Sequence, residues 1–334
     1  MKILVTGGAG FIGSQLVDRL IKKHKVLVFD DLSNSTKSNL NKNAEFVKGD
    51  CRKFEQVSKI FSDFSPEVVY HLAADAAEGK AQFSPVEVTS RNYDAFIKVL
   101  TCSIKTKVRR FVFTSSIAVY GGIQTPFGER DLPLPEDLYG ISKLAAEQSL
   151  KVMSKVHNFE YVVARPHNVY GPGQNMADPY RNVVMIWMNA ILQKKPYFIY
   201  GNGEQRRCFT YIDEVIDALY NCGFEKVSGM TFNIGADKDY SLNELSQLIL
   251  DTTKSTVKPI YLPERPQEVM NAVADHSLAK KVLKYKDKTP LREGILTTWK
   301  YASKMGPQTA KLKELEIPGA TNLPRNWEIL HEKS

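Results

Sequence analysis

Tyr139-Gly140-Ile141-Ser142-Lys143 places a phenol and an ammonium four residues apart, on one face of any helix that begins there. With a reference pKa of about 10, tyrosine is a poor base at neutral pH. A neighbouring Lys⁺ acting with a second positive charge lowers it by ~3 units, roughly 4 kcal/mol. Thr114-Ser115-Ser116 stands 23 residues upstream of the tyrosine, at the end of an apolar run. The carboxyl edge of a parallel sheet, where such a run ends, is where ligands of open α/β folds bind. A serine hydroxyl, a tyrosinate and a lysine are what reversible alcohol oxidation requires: a positioner, a base and an electrostatic tuner. Tyr-x-x-x-Lys alone occurs by chance in many proteins; its weight comes from this company.

A second constellation supplies an oxidant's binding site. Thr6-Gly7-Gly8-Ala9-Gly10-Phe11-Ile12-Gly13 follows an apolar run and opens an amphipathic stretch. Gly7, Gly10 and Gly13 allow a tight turn, close approach of backbone to a pyrophosphate, and close helix–strand packing, with free helix N–H groups facing the phosphates. Asp30 and Asp31 end the next run, 17 and 18 residues after Gly13. A carboxylate there accepts adenosine ribose hydroxyls and repels a 2′-phosphate by about 4 kcal/mol at ~4 Å and an effective dielectric of ~20, which selects NAD over NADP. Asp50, after the third run, is placed to hold the adenine amine.

These residues need a scaffold, and the apolar runs Lys2–Thr6, Val26–Asp30, Glu45–Lys48, Glu67–Leu72, Arg110–Ser115 and Tyr161–Arg165 provide it. They are nearly continuous rather than alternating, as expected of strands covered on both faces. Ile12, Leu16, Val17, Leu20 and Ile21 form the stripe of a helix burying one face. The fold class predicted is α/β: a Rossmann-like doubly wound parallel sheet with right-handed crossovers. After residue 166 the rhythm stops in Arg165-Pro166-His167-Asn168-Val169-Tyr170-Gly171-Pro172-Gly173, dense in turn residues. A helix over Arg181–Lys194, a strand over Tyr197–Tyr200 and a helix over Leu242–Lys254 then suggest a smaller, interleaved C-terminal domain. The division expected is 1–165 for the dinucleotide, with return segments around 208–236, then 166–207 and 237–310 for substrate, and 311–334 as a peripheral tail.

Composition bounds the rest. The 334 residues suit roughly two domains of ~150 residues, and 43% hydrophobic with 25% charged residues excludes general disorder. The net charge of +8 is spread apart from short runs (Lys22 to Lys25, Lys105 to Arg110), which reads as solvated surface, so no nucleic acid is expected. Cys51, Cys102, Cys208 and Cys222 have neither disulfide nor metal-ligand spacing and suit reduced thiols in a cytoplasm. The longest apolar run, Val183 to Leu192, has ten residues including Asn189, too short for a bilayer. The N-terminus does not read as a signal peptide.

The glycine turn, Leu72-Ala73-Ala74, Asn92, Ser115-Ser116 with Val119-Tyr120-Gly121, and Tyr139-x-x-x-Lys143 resemble the extended short-chain dehydrogenase/reductases. The likeness runs from residue 1 to about 300 and is strongest to nucleotide-sugar epimerases of the UDP-galactose 4-epimerase type. It implies that Tyr139 is the base, that Lys143 binds the nicotinamide ribose and that Ser116 bonds the reacting sugar hydroxyl. Asn34, Ser35, Asp50 and Cys51 would line the adenosine half of NAD; Leu72, Ala73, Ala74 and Pro166 would flank its other half, with Phe11, Ile12, Asn92 and Thr114 also at the cofactor. Arg207 and Arg265 match diphosphate-binding arginines, and Glu268 a nucleoside-ribose acceptor. Tyr200 is placed either to stack on a nucleobase or to fill a strand end, and Asn168 to reach a phosphate or sugar hydroxyl.

Four positions depart from the family pattern. Asp75 and Glu78 stand where relatives are uncharged or small, which suggests a sugar contact. Cys208 replaces a common aspartate after the arginine. Ala272 replaces a bulky tyrosine and leaves room for a 2-acetamido group. The resemblance implies NAD-dependent epimerisation at C4 of a nucleotide-diphosphate hexose (UDP-glucose/galactose or UDP-GlcNAc/GalNAc type) through a 4-keto intermediate, with helices around 93–105 and 142–157 pairing in a homodimer. Alternatives are a 4,6-dehydratase or decarboxylase, an epimerase at another carbon, and a non-catalytic dinucleotide-binding protein. Family dehydratases carry an Asp-Glu pair where this chain has Ser115-Ser116; Asp75 or Glu78 would have to substitute.

Overall fold

In the computed structural model, residues 1–181, 183–265, 269–310 and 314–317 are described. The six expected strands form within a residue or two of their predicted limits: β1 (Lys2–Thr6), β2 (Lys25–Asp30), β3 (Glu45–Lys48), β4 (Val68–His71), β5 (Arg110–Thr114) and β6 (Glu160–Pro166). Between them run α1 (Phe11–Leu20), α2 (Phe54–Phe64), α3 (Glu78–Ala81), α4 (Pro85–Thr89), α5 (Ala95–Lys105) and α6 (Leu138–His157). The second half holds β7 (Val169–Tyr170), α7 (Val183–Leu192), β8 (Phe198–Tyr200), β9 (Arg206–Cys208), β10 (Thr210–Tyr211), α8 (Ile212–Phe224), β11 (Met230–Ile234), β12 (Asp239–Ser241), α9 (Leu242–Thr253), β13 (Ile260–Leu262), β14 (Asn271–Ala272), α10 (Ser277–Leu283) and α11 (Leu291–Met305).

The main sheet, seven-stranded among the described residues, has the order β11-β6-β5-β4-β1-β2-β3. All its pairings are parallel. The seventh strand, for which no separate strand was predicted within the expected return segments around 208–236, comes from the second half and pairs with β6 from Met230↔Val162 to Ile234↔Pro166. The order in which strands are added reverses between β1 and β4, so the glycine turn after Thr6 opens at the crevice where doubly wound sheets bind ligands.

Helices cover both faces. The α1 stripe is confirmed: Leu16, Val17 and Leu20 are fully buried against Ile212, Val215 and Leu219 of α8, and Ile12 and Ile21 flank them. Each such side chain contributes ~1.5–3 kcal/mol. On the opposite face Phe61, Phe96, Val99 and Leu150 pack over Leu4, Phe111 and Phe113. The prediction that every strand is covered twice fails at β3, whose Glu45, Val47 and Lys48 are exposed, because it is an edge strand with β2 as its one neighbour.

A third core around Trp187, Tyr197 and Ile295 joins α7, α9 and α11. The predicted helices shorten to Val183–Leu192 and Leu242–Thr253, the latter started by a Ser241–Glu244 capping box and stopped by Lys254 at φ 53°. Residues 314–317, assigned to a peripheral tail, dock on the body: Leu315 is 5% exposed and the Ile317 amide donates to the Phe83 carbonyl. The four cysteines are free and buried. No helix among the described residues is long and apolar enough to cross a membrane.

Candidate active site

The side chain of Asp137 accepts a hydrogen bond from the Gly140 amide at 2.8 Å and so starts α6 immediately before Tyr139. The first turn carries Tyr139 and the second Lys143, both buried at 5% and 2% exposure. Tyr139 shares a hydrogen bond with Ser116, which follows β5. The Lys143 ammonium donates to the Thr114 carbonyl at 2.8 Å and lies 5.7 Å from the Tyr139 ring centre. The spacing argument thus holds: one helical face brings phenol, ammonium and hydroxyl to the carboxyl edge of the sheet.

The electrostatics differ from expectation. Burial holds the Tyr139 phenol above its ordinary value, opposed by the Ser116 hydrogen bond, while Glu78 and Asp137 push it further up and Arg181 draws it down. Burial outweighs any lowering of it by Lys143. Burial also brings the Lys143 ammonium down to about 7, with Glu147 pulling the other way. In the protein alone the phenol is therefore protonated at neutral pH, and its lysine neighbour is poised near half-charge.

Beneath this trio runs a buried polar network. The Ser115 hydroxyl donates to Glu147 at 2.5 Å, Arg165 donates to both Glu147 oxygens at 2.9 and 2.5 Å, and its other arm donates to the Tyr120 hydroxyl at 2.6 Å. Ser115 supports β5 and α6, leaving Ser116 to face the cavity.

One cavity of about 1610 Å³ connects this trio to the glycine turn. A single drug-sized ligand needs about 300–1,000 Å³, so the volume suits two ligands side by side. Gly7, Gly10, Phe11, Ile12, Gly13, Asp30, Asp31, Asn34, Ser35, Asp50, Cys51, Leu72, Ala73, Ala74, Thr114 and Pro166 all line it. The turn fits a dinucleotide on steric grounds. A Cβ on Gly13 would lie 2.2 Å from the Gly7 carbonyl oxygen, and one on Gly7 2.6 Å from the Ala73 amide nitrogen. One on Gly10 would meet nothing closer than 3.2 Å, so that glycine leaves its space open to a ligand.

The sequence matches the NAD dependent epimerase/dehydratase family over residues 3–235. UDP-glucose 4-epimerase of Mycolicibacterium smegmatis is 32% identical over 89% of this chain and 97% of its own length. The solved UDP-glucose 4-epimerase of Thermotoga maritima is 35% identical, with a TM-score of 0.87 over 91% of this chain and 99% of that one. That of Thermus thermophilus, in complex with NAD, is 28% identical with a TM-score of 0.86, covering 90% and 98%. The chain belongs to this family.

Within the epimerase cavity several expected residues do other work. Asn92 does not line it: at 1% exposure its amide donates to the Asp75 and Val88 carbonyls and fastens the Asp75 loop to α4. Asp75 is no free sugar contact, because its carboxylate is paired at 2.9 Å with Lys80, both 1–2% exposed. Asp30 accepts from the Ala9 and Leu32 amides and the Ser35 hydroxyl at 2.9–3.0 Å, which clamps the glycine turn to β2. Asp31 is paired with Arg91 at 2.7 Å; burial raises its carboxyl, but bonds from Ser33 and Arg91 outweigh that and hold it below the ordinary range. The repulsion of a 2′-phosphate therefore rests mainly on Asp30. Asp50 holds Arg52 through three bonds of 2.8–3.0 Å. Burial pushes the Cys51 thiol far up, so it contributes shape rather than reactivity.

At the substrate end Asn168, Tyr200, Arg207 and Arg265 line the same cavity; Glu268 lies outside the described residues. The Arg265 guanidinium covers one face of the Tyr200 ring at 4.6 Å, which leaves a nucleobase at most the other face. Arg207 on β9 is steadied by the Arg206 and Met270 carbonyls at 2.9 and 3.2 Å. Ala272 sits in register beside it and lines the cavity. Cys208 turns into the core, where burial moves its thiol to about 12, so the missing aspartate does not distort the strand. Sequence reading missed Arg91, Arg52, Glu78 as a neighbour of Tyr139, and Arg181. The contacts of Arg91 with Asp31 and of Arg52 with Glu87, and the effects of Glu78 and Arg181 on Tyr139, join positions tens of residues apart and carry no local pattern.

Proposed function

We propose that this protein is an NAD-dependent epimerase that inverts C4 of a nucleotide-diphosphate hexose, of the UDP-glucose/galactose or UDP-GlcNAc/GalNAc type. The observation that carries this reading is the convergence of Ser116, Tyr139 and Lys143 on the cavity that also holds the Gly7–Gly13 turn and, at its far end, Arg207 and Arg265. The UDP-sugar 4-epimerase relatives support it.

When bound along the glycine turn, Asp30 and Thr114, NAD supplies the reversible two-electron acceptor. Ser116 and Tyr139 hold the sugar's 4-hydroxyl, and Tyr139 takes its proton as C4 is oxidised to the ketone. The charged form of Lys143 stabilises the Tyr139 phenolate that takes this proton and becomes the phenol, and Ser116 bonds the ketone oxygen. Arg207 and Arg265 grip the diphosphate while the 4-keto hexose turns, so that reduction reaches its other face and Tyr139 returns the proton. Oxidation and reduction cancel, and no external oxidant is consumed.

Residues 1–165 with 208–236 form the dinucleotide half in this reading, and 166–207 with 237–310 the substrate half. The partner proposed is a second copy, paired through α5 and α6, where Val152 and Val156 are 60% and 69% exposed. Four free thiols fit a reducing compartment, and the cytoplasm is the proposed location.

The test offers purified protein a panel of UDP-, dTDP-, CDP- and GDP-hexoses in D₂O without added cofactor, followed by proton NMR. One C4 pair interconverts with C5 unlabelled, and Tyr139→Phe abolishes turnover while retaining NAD. Deuterium at C5 with a 6-deoxy-4-keto product overturns the reading in favour of dehydration; full activity in Tyr139→Phe overturns the base assignment.

A further inference from the structure

Helices α4 and α5 are joined by one turn of π-helix, Ser90–Asp94. Such widened turns are rare and often sit at functional sites. This one carries Arg91 to the cavity wall, where its guanidinium donates to the Asp31 carboxylate at 2.7 Å and to the Ser33 hydroxyl at 3.0 Å. Its Nε donates to Glu87, one turn back. The other Glu87 oxygen accepts from Arg52 at 3.0 Å, and Arg52 closes on Asp50 at 2.8 Å. Asp31, Arg91, Glu87, Arg52 and Asp50 thus form one ladder of alternating charge. It runs from just beyond β2 to just beyond its sheet neighbour β3.

Such a ladder supplies geometry more than stability. Its side chains are 17–31% exposed, so water screens each pair and the gain per pair is small. A guanidinium bonded to two carboxylates nevertheless has a fixed plane, and each carboxylate has a fixed direction. Burial raises the Asp31, Asp50 and Glu87 carboxyls, but hydrogen bonds from the arginines and, at Asp31, from Ser33 outweigh it and hold all three below the ordinary range. Asp31, Asp50, Arg52 and Arg91 line the cavity; Glu87 does not. Glu87 can therefore act on a bound cofactor only through its two arginines.

We propose that Arg91, Glu87 and Arg52 are positioning residues for NAD: their ladder fixes Asp31 and Asp50 where they receive the adenosine, and so sets how firmly the cofactor stays bound from one turnover to the next. The inference rests on the reading that seats adenosine at the ends of β2 and β3. The ladder stands at the adenosine end and does no chemistry. It governs cofactor release and leaves the sugar's KM and the chemical step to Tyr139 and the substrate half.

The experiment challenges purified holoenzyme with excess isotope-labelled NAD and follows release of the bound cofactor by mass spectrometry, beside steady-state epimerisation and thermal unfolding. Glu87→Gln keeps the side chain's size and every residue of the cavity wall while breaking the ladder at its centre. It releases NAD about 10-fold faster than wild type, as expected for weakening a bond between charged groups, with kcat in excess NAD and the sugar's KM within about 2-fold. Arg91→Lys, whose ammonium lacks the fork that meets two carboxylates, falls between the two. Lys59→Met, which breaks an exposed pair with Asp63 on α2, releases NAD like wild type. Release at the wild-type rate in Glu87→Gln, whatever its melting temperature, overturns the ladder; so does equal acceleration in Lys59→Met, or a raised sugar KM with unchanged release. Gly10→Ala, whose added methyl intrudes on the phosphate turn, reports on the seat itself. If Gly10→Ala loses NAD while Glu87→Gln keeps it, the ladder alone is refuted; if Gly10→Ala also keeps NAD, the cofactor seat is wrong and the inference falls with it.

Discussion

Asp75 is the residue whose two readings diverge most, and replacing it separates them. Its carboxylate sits 2.9 Å from the Lys80 ammonium with both side chains excluded from water. At that distance the attraction is about 6 kcal/mol for an effective dielectric of ~20, set against the desolvation of two ions. Removing one partner strands the other, and the expected loss is ~3–5 kcal/mol. In a protein this size each kcal/mol moves the melting temperature by ~2–4 °C, so Asp75→Leu lowers Tm by roughly 6–20 °C. Lys80→Met does the same, and the double variant recovers most of the loss, since an apolar pair replaces a buried ion pair nearly neutrally. Urea and thermal unfolding measure these differences, and kcat at 20 °C, corrected for the folded fraction, measures catalysis. If Asp75→Leu melts like wild type yet loses turnover 100-fold, the carboxylate acts on the sugar and the structural reasoning is refuted. A double variant as unstable as the worse single variant also refutes it.

Gly13→Ala forces a Cβ to 2.2 Å from a carbonyl oxygen, so the turn must open; it loses ~1–3 kcal/mol and no longer co-purifies with NAD, as the absorbance of the denatured extract shows. Gly10→Ala, whose Cβ would press on the Gly7 carbonyl oxygen at 3.2 Å and ask it to give by a few tenths of an ångström, loses much less stability than Gly13→Ala and still loses NAD, because its methyl occupies ligand space. The buried His71 ring has a pKa near 3, driven down by burial and then by Lys143. Its unfolded pKa is about 6.5, so the unfolded state binds the proton first and stability falls as pH drops from 6.5 toward 3, by up to ~1.4 kcal/mol per unit. His71→Asn, which keeps a partner for Thr6, shows a shallower loss of urea midpoint between pH 6 and 4; equal slopes exclude His71 as a source.

The elements that position the site were legible because their signals are local. Lys2–Thr6 is a strand on apolar content alone, the glycines after it are interpretable from turn sterics, and Tyr139 and Lys143 share a face by helical period. Within the expected return segments around 208–236, β11 is not legible as a strand because Met230–Ile234 is five residues with an asparagine, too short to distinguish from a loop strand. Asn233 is buried there because it accepts from the Tyr120 hydroxyl, 113 residues away in sequence. Asp31 with Arg91 and Tyr200 with Arg265 are invisible for the same reason, and Asp75 with Lys80, only five residues apart, is hidden because burial decides that the two charges pair. The phenol's environment was misjudged because burial, which no motif encodes, outweighs the neighbouring charge.

The outermost position of β11 in the main sheet has a consequence for synthesis. Its hydrogen-bonding partner β6 is complete at Pro166, but the strand that covers that edge is not translated until Ile234. For some seventy residues of elongation a nascent chain exposes the bare edge of Glu160–Pro166, the kind of template that recruits foreign strands. Separate expression of the first half would leave that edge open for good, and such a fragment should aggregate where the whole chain does not.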